Sequence, residues 1–402
     1  MNVIEKSGYS ELNPSLRILM GPGPSNVHPR VLRAMSTPLV GHLDPDFISI
    51  MNDVQALLRE LFKTANEMTL AMSGTGSSGM ETCFCNVLEP GDTAVVCVNG
   101  LFGERISDIV GRLDAKLVRV EAEWGKIIEP EAIERTLKKN RAKVVAIVHA
   151  ETSTGVRQPI EEISRIVHEH GALFLVDTVT SLGGCDVRVD DWKIDACYSG
   201  TQKCLSCPPG LSPVSFNQAA MDALHSRKRK VSSWYMDLSM IEKYWGEERF
   251  YHHTAPISMI YALREALRII REEGLENRFR RHRLNHLALA AGLEGLEVEF
   301  LVEEQYRLPM LNAVKIPDGI NDVNVRKYLL NKYGIELGGG LGVLKGKTWR
   351  IGLMGHSSTK QNVLLFLAAL EDALMAEGIK TAPGAAVAAA TEIYVKEHSG
   401  RA

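Results

Sequence analysis

Leu173-Phe174-Leu175-Val176-Asp177 and Ile194-Asp195-Ala196-Cys197-Tyr198-Ser199-Gly200-Thr201-Gln202-Lys203 are two apolar runs that each lead to a group able to carry charge. Short apolar runs rich in β-branched and aromatic residues read as strands buried on both faces. Similar runs stand at Ala94–Val98, Leu117–Val120 and Val144–Val148, and helical patterns such as Ile160 to His168 fall between them. The alternation predicts an α/β fold with a mostly parallel central sheet and helices on both faces. In such sheets ligands bind at the carboxyl ends of the strands. Thr152, Asp177 and Lys203 all follow strand runs, which points to one site.

Outward from that core, the chain of 402 residues exceeds the usual size of one domain. We expect an N-terminal arm over 1–20, a large domain over 21–275, a smaller C-terminal α/β domain over 276–382 and a tail over 383–402. A long helix spans Ala255 to Glu273 and ends at Gly274, and Gly338-Gly339-Gly340 breaks the middle of the small domain. The tail is Ala-rich and reads as a terminal helix or a loose end. Hydrophobic residues make up 45% and charged residues 24%, as in an ordinary globular protein. A formal net charge of −3 gives no electrostatic case for nucleic acid or a membrane surface. The seven cysteines lack the even count and spacing of a disulfide framework. Cys204 to Cys207 has the CxxC form, but no second pair or histidine stands at zinc-site spacing. No run is long enough to span a bilayer, and Met1 to Pro14 has no signal-peptide core. A cytoplasmic protein is expected.

Four motifs carry chemistry. Gly74-Thr75-Gly76-Ser77-Ser78-Gly79 fits GxGxxG between an apolar run and a helix. Small residues free backbone amides for an anion at a helix N-terminus. A dinucleotide site also wants an acidic residue about 20 positions on. The next strand run ends instead in Val98-Asn99-Gly100, so a single phosphate fits as well, and a plain tight turn is the bland alternative. Asp177 closes a buried strand, where a lone carboxylate is costly. It wants a cation, which a pyridinium N–H would supply, or it caps a helix or pairs with a basic side chain. Lys203 follows a small-residue turn, from which its amine can attack an aldehyde and later move a proton, although most lysines are solvated surface groups. Arg350, in Thr348-Trp349-Arg350-Ile351-Gly352, can grip a carboxylate through two hydrogen bonds or form a structural ion pair. Tyr251-His252-His253-Thr254 makes a poor metal pair, because adjacent side chains diverge. Arg227-Lys228-Arg229-Lys230 reads as a solvated loop.

Together these motifs resemble the class V aminotransferases of the fold-type I pyridoxal phosphate (PLP) enzymes, closest to the alanine–glyoxylate and serine–glyoxylate group. The resemblance runs from about Leu16 to Leu374. It adds Gly21-Pro22-Gly23-Pro24-Ser25-Asn26 and Glu151-Thr152-Ser153-Thr154-Gly155-Val156 to the motifs above. It implies that Lys203 is the Schiff-base lysine and that Asp177 pairs with the pyridine nitrogen. Thr75, Gly76, Ser77 and Gln202 would hold the phosphate. Phe102 would stack on one ring face, where relatives carry tryptophan, and Val179 would pack on the other. Thr152 would bond the ring hydroxyl, where serine is common, and Ser77 stands where some relatives have histidine. Arg350 would bind the substrate carboxylate with the backbone near Gly23. Tyr251 and Thr254 would reach the phosphate of a neighbouring subunit, making a homodimer with shared active sites.

The implied activity is transamination between a small amino acid, alanine or serine, and a 2-oxo acid such as glyoxylate or pyruvate. Aspartate and ureidoglycine are alternative donors. A cysteine desulfurase would need a nucleophilic cysteine before the substrate arginine, and Gly338 to Lys347 has none. An NAD-dependent dehydrogenase explains the glycine loop but not the pairing of Asp177 with Lys203. A non-enzymatic interaction protein predicts no cofactor at all.

Overall fold

The computed structural model describes residues 11–399. Half of the expected N-terminal arm, residues 1–10, lies outside the described residues. The core of the molecule is a seven-stranded sheet. Its strands are β1 (Met68–Ser73), β2 (Thr93–Val98), β3 (Lys116–Glu121), β4 (Val144–Val148), β5 (Leu173–Asp177), β6 (Ala196–Tyr198) and β7 (Leu211–Phe216). They lie in the order β1-β7-β6-β5-β4-β2-β3. All neighbours are parallel except β7, which runs antiparallel to both β1 and β6. The mostly parallel α/β fold is therefore as the periodicity predicts. β4 is buried at every position because helices cover both faces.

β7 is the strand that the pattern conceals. Pro213 sits at its centre, and proline usually marks an edge or a break. Here the neighbours accommodate the missing donor, and the Pro213 carbonyl accepts from the Ser199 amide at 2.7 Å. That bond ties the turn after β6, which leads to Lys203, to the next strand.

Two buried clusters divide the chain. The larger packs the seven-stranded sheet against its helices from Val31 to Ile270. The second gathers Met20 with residues from Ala288 to Tyr394. It forms around α4 (Leu275–Glu294), α5 (Lys360–Ala376) and a three-stranded antiparallel sheet of β8 (Leu311–Lys315), β9 (Gly338–Gly339) and β10 (Thr348–Gly352). A 17-residue helix, α3 (Ile257–Glu273), leads into α4 through Gly274 at φ +78°. The Ala-rich stretch is helical: α6 (Ala385–Ser399) packs on α4, and Tyr394 donates to Asn285 at 2.8 Å. The glycines at 338 and 339 pair with β10 as a strand and do not interrupt it. Gly338 is a glycine because Pro22 crosses directly over it, where a Cβ would collide with the ring. Ile18–Leu19 adds a short parallel pairing to Ile335–Glu336, so the segment from Gly21 to Ser25 is laid between the two clusters. Among the described residues no helix is long and apolar enough to cross a membrane.

Candidate active site

The site begins where β5 and β6 end. Asp177 and Tyr198 are register partners at those ends. Asp177 is buried, and its carboxylate accepts from the Val179 amide and from the Tyr198 hydroxyl, both at 2.8 Å. Neither donor is a cation. Burial pushes the Asp177 carboxyl up to about 7, against the pull of those two donors. A buried carboxylate held this way has lone pairs to spare and no counter-ion among the described residues, as a group awaiting a cationic N–H would. The ion-pair reading of Asp177 finds no partner in these contacts, and its bond to the Val179 amide caps the turn after β5.

Lys203 is 8% exposed and reaches its position through the Ser199–Gln202 turn. Its ammonium donates to the Pro22 carbonyl, and the Ser25 hydroxyl donates to the Lys203 carbonyl at 2.7 Å. Gly23, at φ +110°, lies so close that a Cβ would fall 2.8 Å from Nζ. Burial, and after it the Arg350 guanidinium, pulls the Lys203 amine down to about 8. A lysine in that state supplies a neutral amine near neutrality, as a nucleophile or proton acceptor must.

The anion end lies at α1 (Gly76–Val87). Thr75 occupies its N-cap position but makes no side-chain cap. The first turn is therefore open, with Thr75 and Ser77 exposed beside it. A Cβ on Gly76 would meet Gly200, Ser199 and Val179 at 3.5 Å, so the loop after β1 touches the turn after β6. The Oε1 atom of Gln202 is buried without a partner next to that contact. An uncapped helix start and a buried carboxylate without a counter-ion fit a group with a phosphate at one end and a protonatable ring nitrogen at the other.

The remaining residues surround this floor. α2 (Leu101–Arg112) carries Phe102, half-buried in its first turn with the Arg105 guanidinium 4.9 Å from its ring centre. Thr152 stands in a hairpin after β4, where its hydroxyl meets that of Thr180 at 3.1 Å. Arg350, on β10, is 7% exposed. Its Nε donates to the Gly339 carbonyl at 2.8 Å and its Nη1 to the Thr152 carbonyl at 3.3 Å. It forms no ion pair among the described residues, which leaves the structural salt bridge without a partner. Tyr251 and Thr254 are exposed. Their segment is held by His253, whose Nε2 lies 2.8 Å from the Ser73 hydroxyl at the start of the glycine loop.

Two residues carry more of the site than the sequence suggests. Tyr198 orients Asp177, yet in the sequence it reads only as the last apolar residue of a strand. Glu151 is fully buried behind Phe102 and Thr152, although its type predicts a surface position. A signal existed in both cases: a hydroxyl and a carboxylate at the carboxyl ends of buried strands.

An amine and a carboxylate on neighbouring strand ends, between an open helix start and a guanidinium, define a pyridoxal-phosphate enzyme. The family model for class V aminotransferases matches residues 19–366. The chain belongs to that family, and it is a PLP-dependent aminotransferase. It is 43% identical to the (S)-ureidoglycine–glyoxylate transaminase of Bacillus subtilis, over 98% of this chain and 99% of the relative. It is 39% identical to the alanine–glyoxylate aminotransferase of Drosophila melanogaster, over 91% of this chain and 94% of the relative. The crystal structure of an alanine–glyoxylate aminotransferase from Nostoc sp. superposes with a TM-score of 0.91 at 47% identity, covering 93% of this chain and 99% of that one. The nicotinamide reading of the glycine loop and the non-enzymatic reading fall with these findings.

Proposed function

We propose that the enzyme transfers the amino group of a small amino acid, alanine or serine, to a 2-oxo acid such as glyoxylate or pyruvate. The observation that carries this reading is Asp177 at the end of β5 and buried Lys203 in the turn after the neighbouring strand β6, with Arg350 close enough to depress the lysine. PLP, when bound, supplies an aldehyde for an amine and a ring that takes up the electron pair left at a substrate carbon. The protein supplies the rest. Asp177 would face the ring nitrogen and keep it protonated. The α1 N-terminus with Thr75, Gly76, Ser77 and Gln202 would hold the phosphate. Phe102 and Val179 would flank the ring, and Thr152 would meet its hydroxyl. Arg350 would bind the carboxylate that amino and 2-oxo acids share, with Gly23 leaving room beside it. Lys203 Nζ would take the proton from the substrate α-carbon and return it on the other side of the reaction.

The ureidoglycine donor is the second reading, favoured by the 43% identity to an enzyme of that name. A panel of alanine, serine, aspartate and ureidoglycine against glyoxylate, pyruvate and 2-oxoglutarate separates the two. Alanine or serine with glyoxylate or pyruvate should give the highest kcat/KM, and a clear preference for ureidoglycine would replace the first reading.

We read the active unit as a homodimer in which Tyr251 and Thr254 complete the partner's phosphate site. Trp234, Tyr235, Phe250 and Tyr251 are 61%, 40%, 67% and 52% exposed within a short span, an apolar patch of the kind that interfaces cover. A monomeric mass in solution would overturn this. Seven free, buried cysteines support a cytoplasmic setting. We divide the large and small domains at residue 275; the boundaries drawn at 20 and 382 do not separate packing units, since Met20 and Tyr394 belong to the small domain's core.

A further inference from the structure

Glu151 has no role in the chemistry above, yet it is fully buried at the edge of the site. Its carboxylate accepts from the Phe102 amide at 3.1 Å, the Ser153 amide at 3.0 Å and the Ser153 hydroxyl at 2.5 Å. The Ser153 hydroxyl in turn accepts from the Leu101 amide at 2.9 Å. The opening amides of α2 are thus capped by a hairpin 50 residues downstream. Gly100, at the N-cap position, provides no cap of its own. A Cβ at Gly100 would collide with the Glu151 carboxyl, so the helix start rests directly on that carboxylate.

A local serine, threonine or asparagine is the usual solution for a helix start. Burying a carboxylate from another strand is costlier, and no lysine, arginine or histidine pairs with it among the described residues. What the remote cap achieves is connection. Glu151 is joined to Phe102 on one side. On the other it precedes Thr152, whose carbonyl accepts from Arg350. Phe102, Thr152 and Arg350 come from three different elements; Glu151 bonds the first directly and reaches the other two through its chain neighbour Thr152.

We propose that Glu151 is a positioning residue that fixes the first turn of α2, and with it Phe102, against the cofactor ring in register with Thr152. The proposal rests on the reading of Phe102 as a ring contact. The test uses the full-length enzyme and its PLP-free form, with Glu151→Ala, Glu151→Gln, Phe102→Ala and the double Glu151→Ala/Phe102→Ala variant. The measurements are PLP affinity, the visible circular dichroism of the bound cofactor, and kcat and KM separately. Glu151→Ala should weaken PLP binding roughly tenfold and reduce the visible dichroic band, as Phe102→Ala does, from the loss of a cap and of ring contact. The double variant should be no worse than the poorer single one, because both act through one contact. Glu151→Gln keeps an acceptor for the Phe102 amide and should fall between wild type and Glu151→Ala. If Glu151→Ala does not fold, Glu151→Gln carries the test, and wild-type affinity and dichroism in it overturn the proposal. The proposal alone fails if Phe102→Ala weakens binding while Glu151→Ala stays within twofold of wild type, or if the two losses add. If Phe102→Ala leaves affinity and dichroism unchanged, the ring-contact reading fails and takes the proposal with it.

Discussion

The floor of the site and its wall are built in different ways. The floor is Asp177 and Tyr198 at the ends of β5 and β6, with Lys203 in the turn that follows. Tyr198 bonds Asp177 across the two strands, Lys203 donates to Pro22, and the Ser199–Pro213 bond ties that turn to β7. The wall is Arg350, alone on β10, and its guanidinium is aimed by two carbonyls, that of Gly339 on the neighbouring strand and that of Thr152 far away in sequence. Chemistry sits where the topology of a parallel sheet must place it. Recognition sits where two separately packed clusters meet. A change in the floor should therefore damage turnover, and a change in the wall should damage binding.

The largest effect should come from Lys203→Ala, which removes the amine that we propose moves the proton. We expect transamination to fall about a thousandfold or more, with loss of the cofactor's characteristic visible absorbance. Near-normal turnover in an absorbance or coupled assay would break the floor half of the comparison. Asp177→Asn should come next. It keeps the shape and the Tyr198 contact but gives up the charge proposed to face the ring nitrogen. A hydrogen bond to a charged group contributes about 1.5–3 kcal/mol, so kcat should drop roughly 10- to 100-fold. Unchanged kcat with weaker PLP binding would reduce Asp177 to an anchor.

Arg350→Lys tests the wall. The planar fork is lost while the charge stays, and lysine cannot reproduce two parallel bonds. KM for both the amino acid and the 2-oxo acid should rise about tenfold, with kcat changed much less. A kcat loss as large as that of Asp177→Asn would merge wall and floor into one unit.

How much of this was legible in the sequence follows the same division. The floor was, because strand ends in a parallel sheet coincide with the ends of apolar runs, and Asp177 and Lys203 stand there. The parallel strands were legible for the same reason. β7 was not, because Pro213 contradicts a central strand and only its neighbours reveal how the chain tolerates it. The glycines at 338 and 339 read as a break, since nothing local records that Pro22 passes over Gly338. Tyr198 and Glu151 stand at strand ends, where the sequence marks a polar group, but the partners that give them roles lie across the fold and leave no trace nearby. Arg350 was legible as a residue type in a motif, but the two carbonyls that aim it were not.

The smallest expected effect is the one that links the two halves. Burial is the main cause of the depressed Lys203 amine, and the Arg350 guanidinium is the second. The neutral amine is the form that attacks an aldehyde. For the PLP-free protein, the rate of cofactor capture should climb with pH up to about 8 and flatten above it. Removing the cation with Arg350→Met takes away a charge that disfavours the ammonium form. The lysine then holds its proton to higher pH, so the midpoint must move up, not down. With charges screened as they are at a partly wetted site, the move should be no more than about one pH unit. Stopped-flow absorbance of PLP mixed with the PLP-free protein, from pH 6 to 10, reads it directly. A midpoint that stays put would mean that the wall touches the floor only through the substrate, and a midpoint that falls would contradict the sign of the coupling.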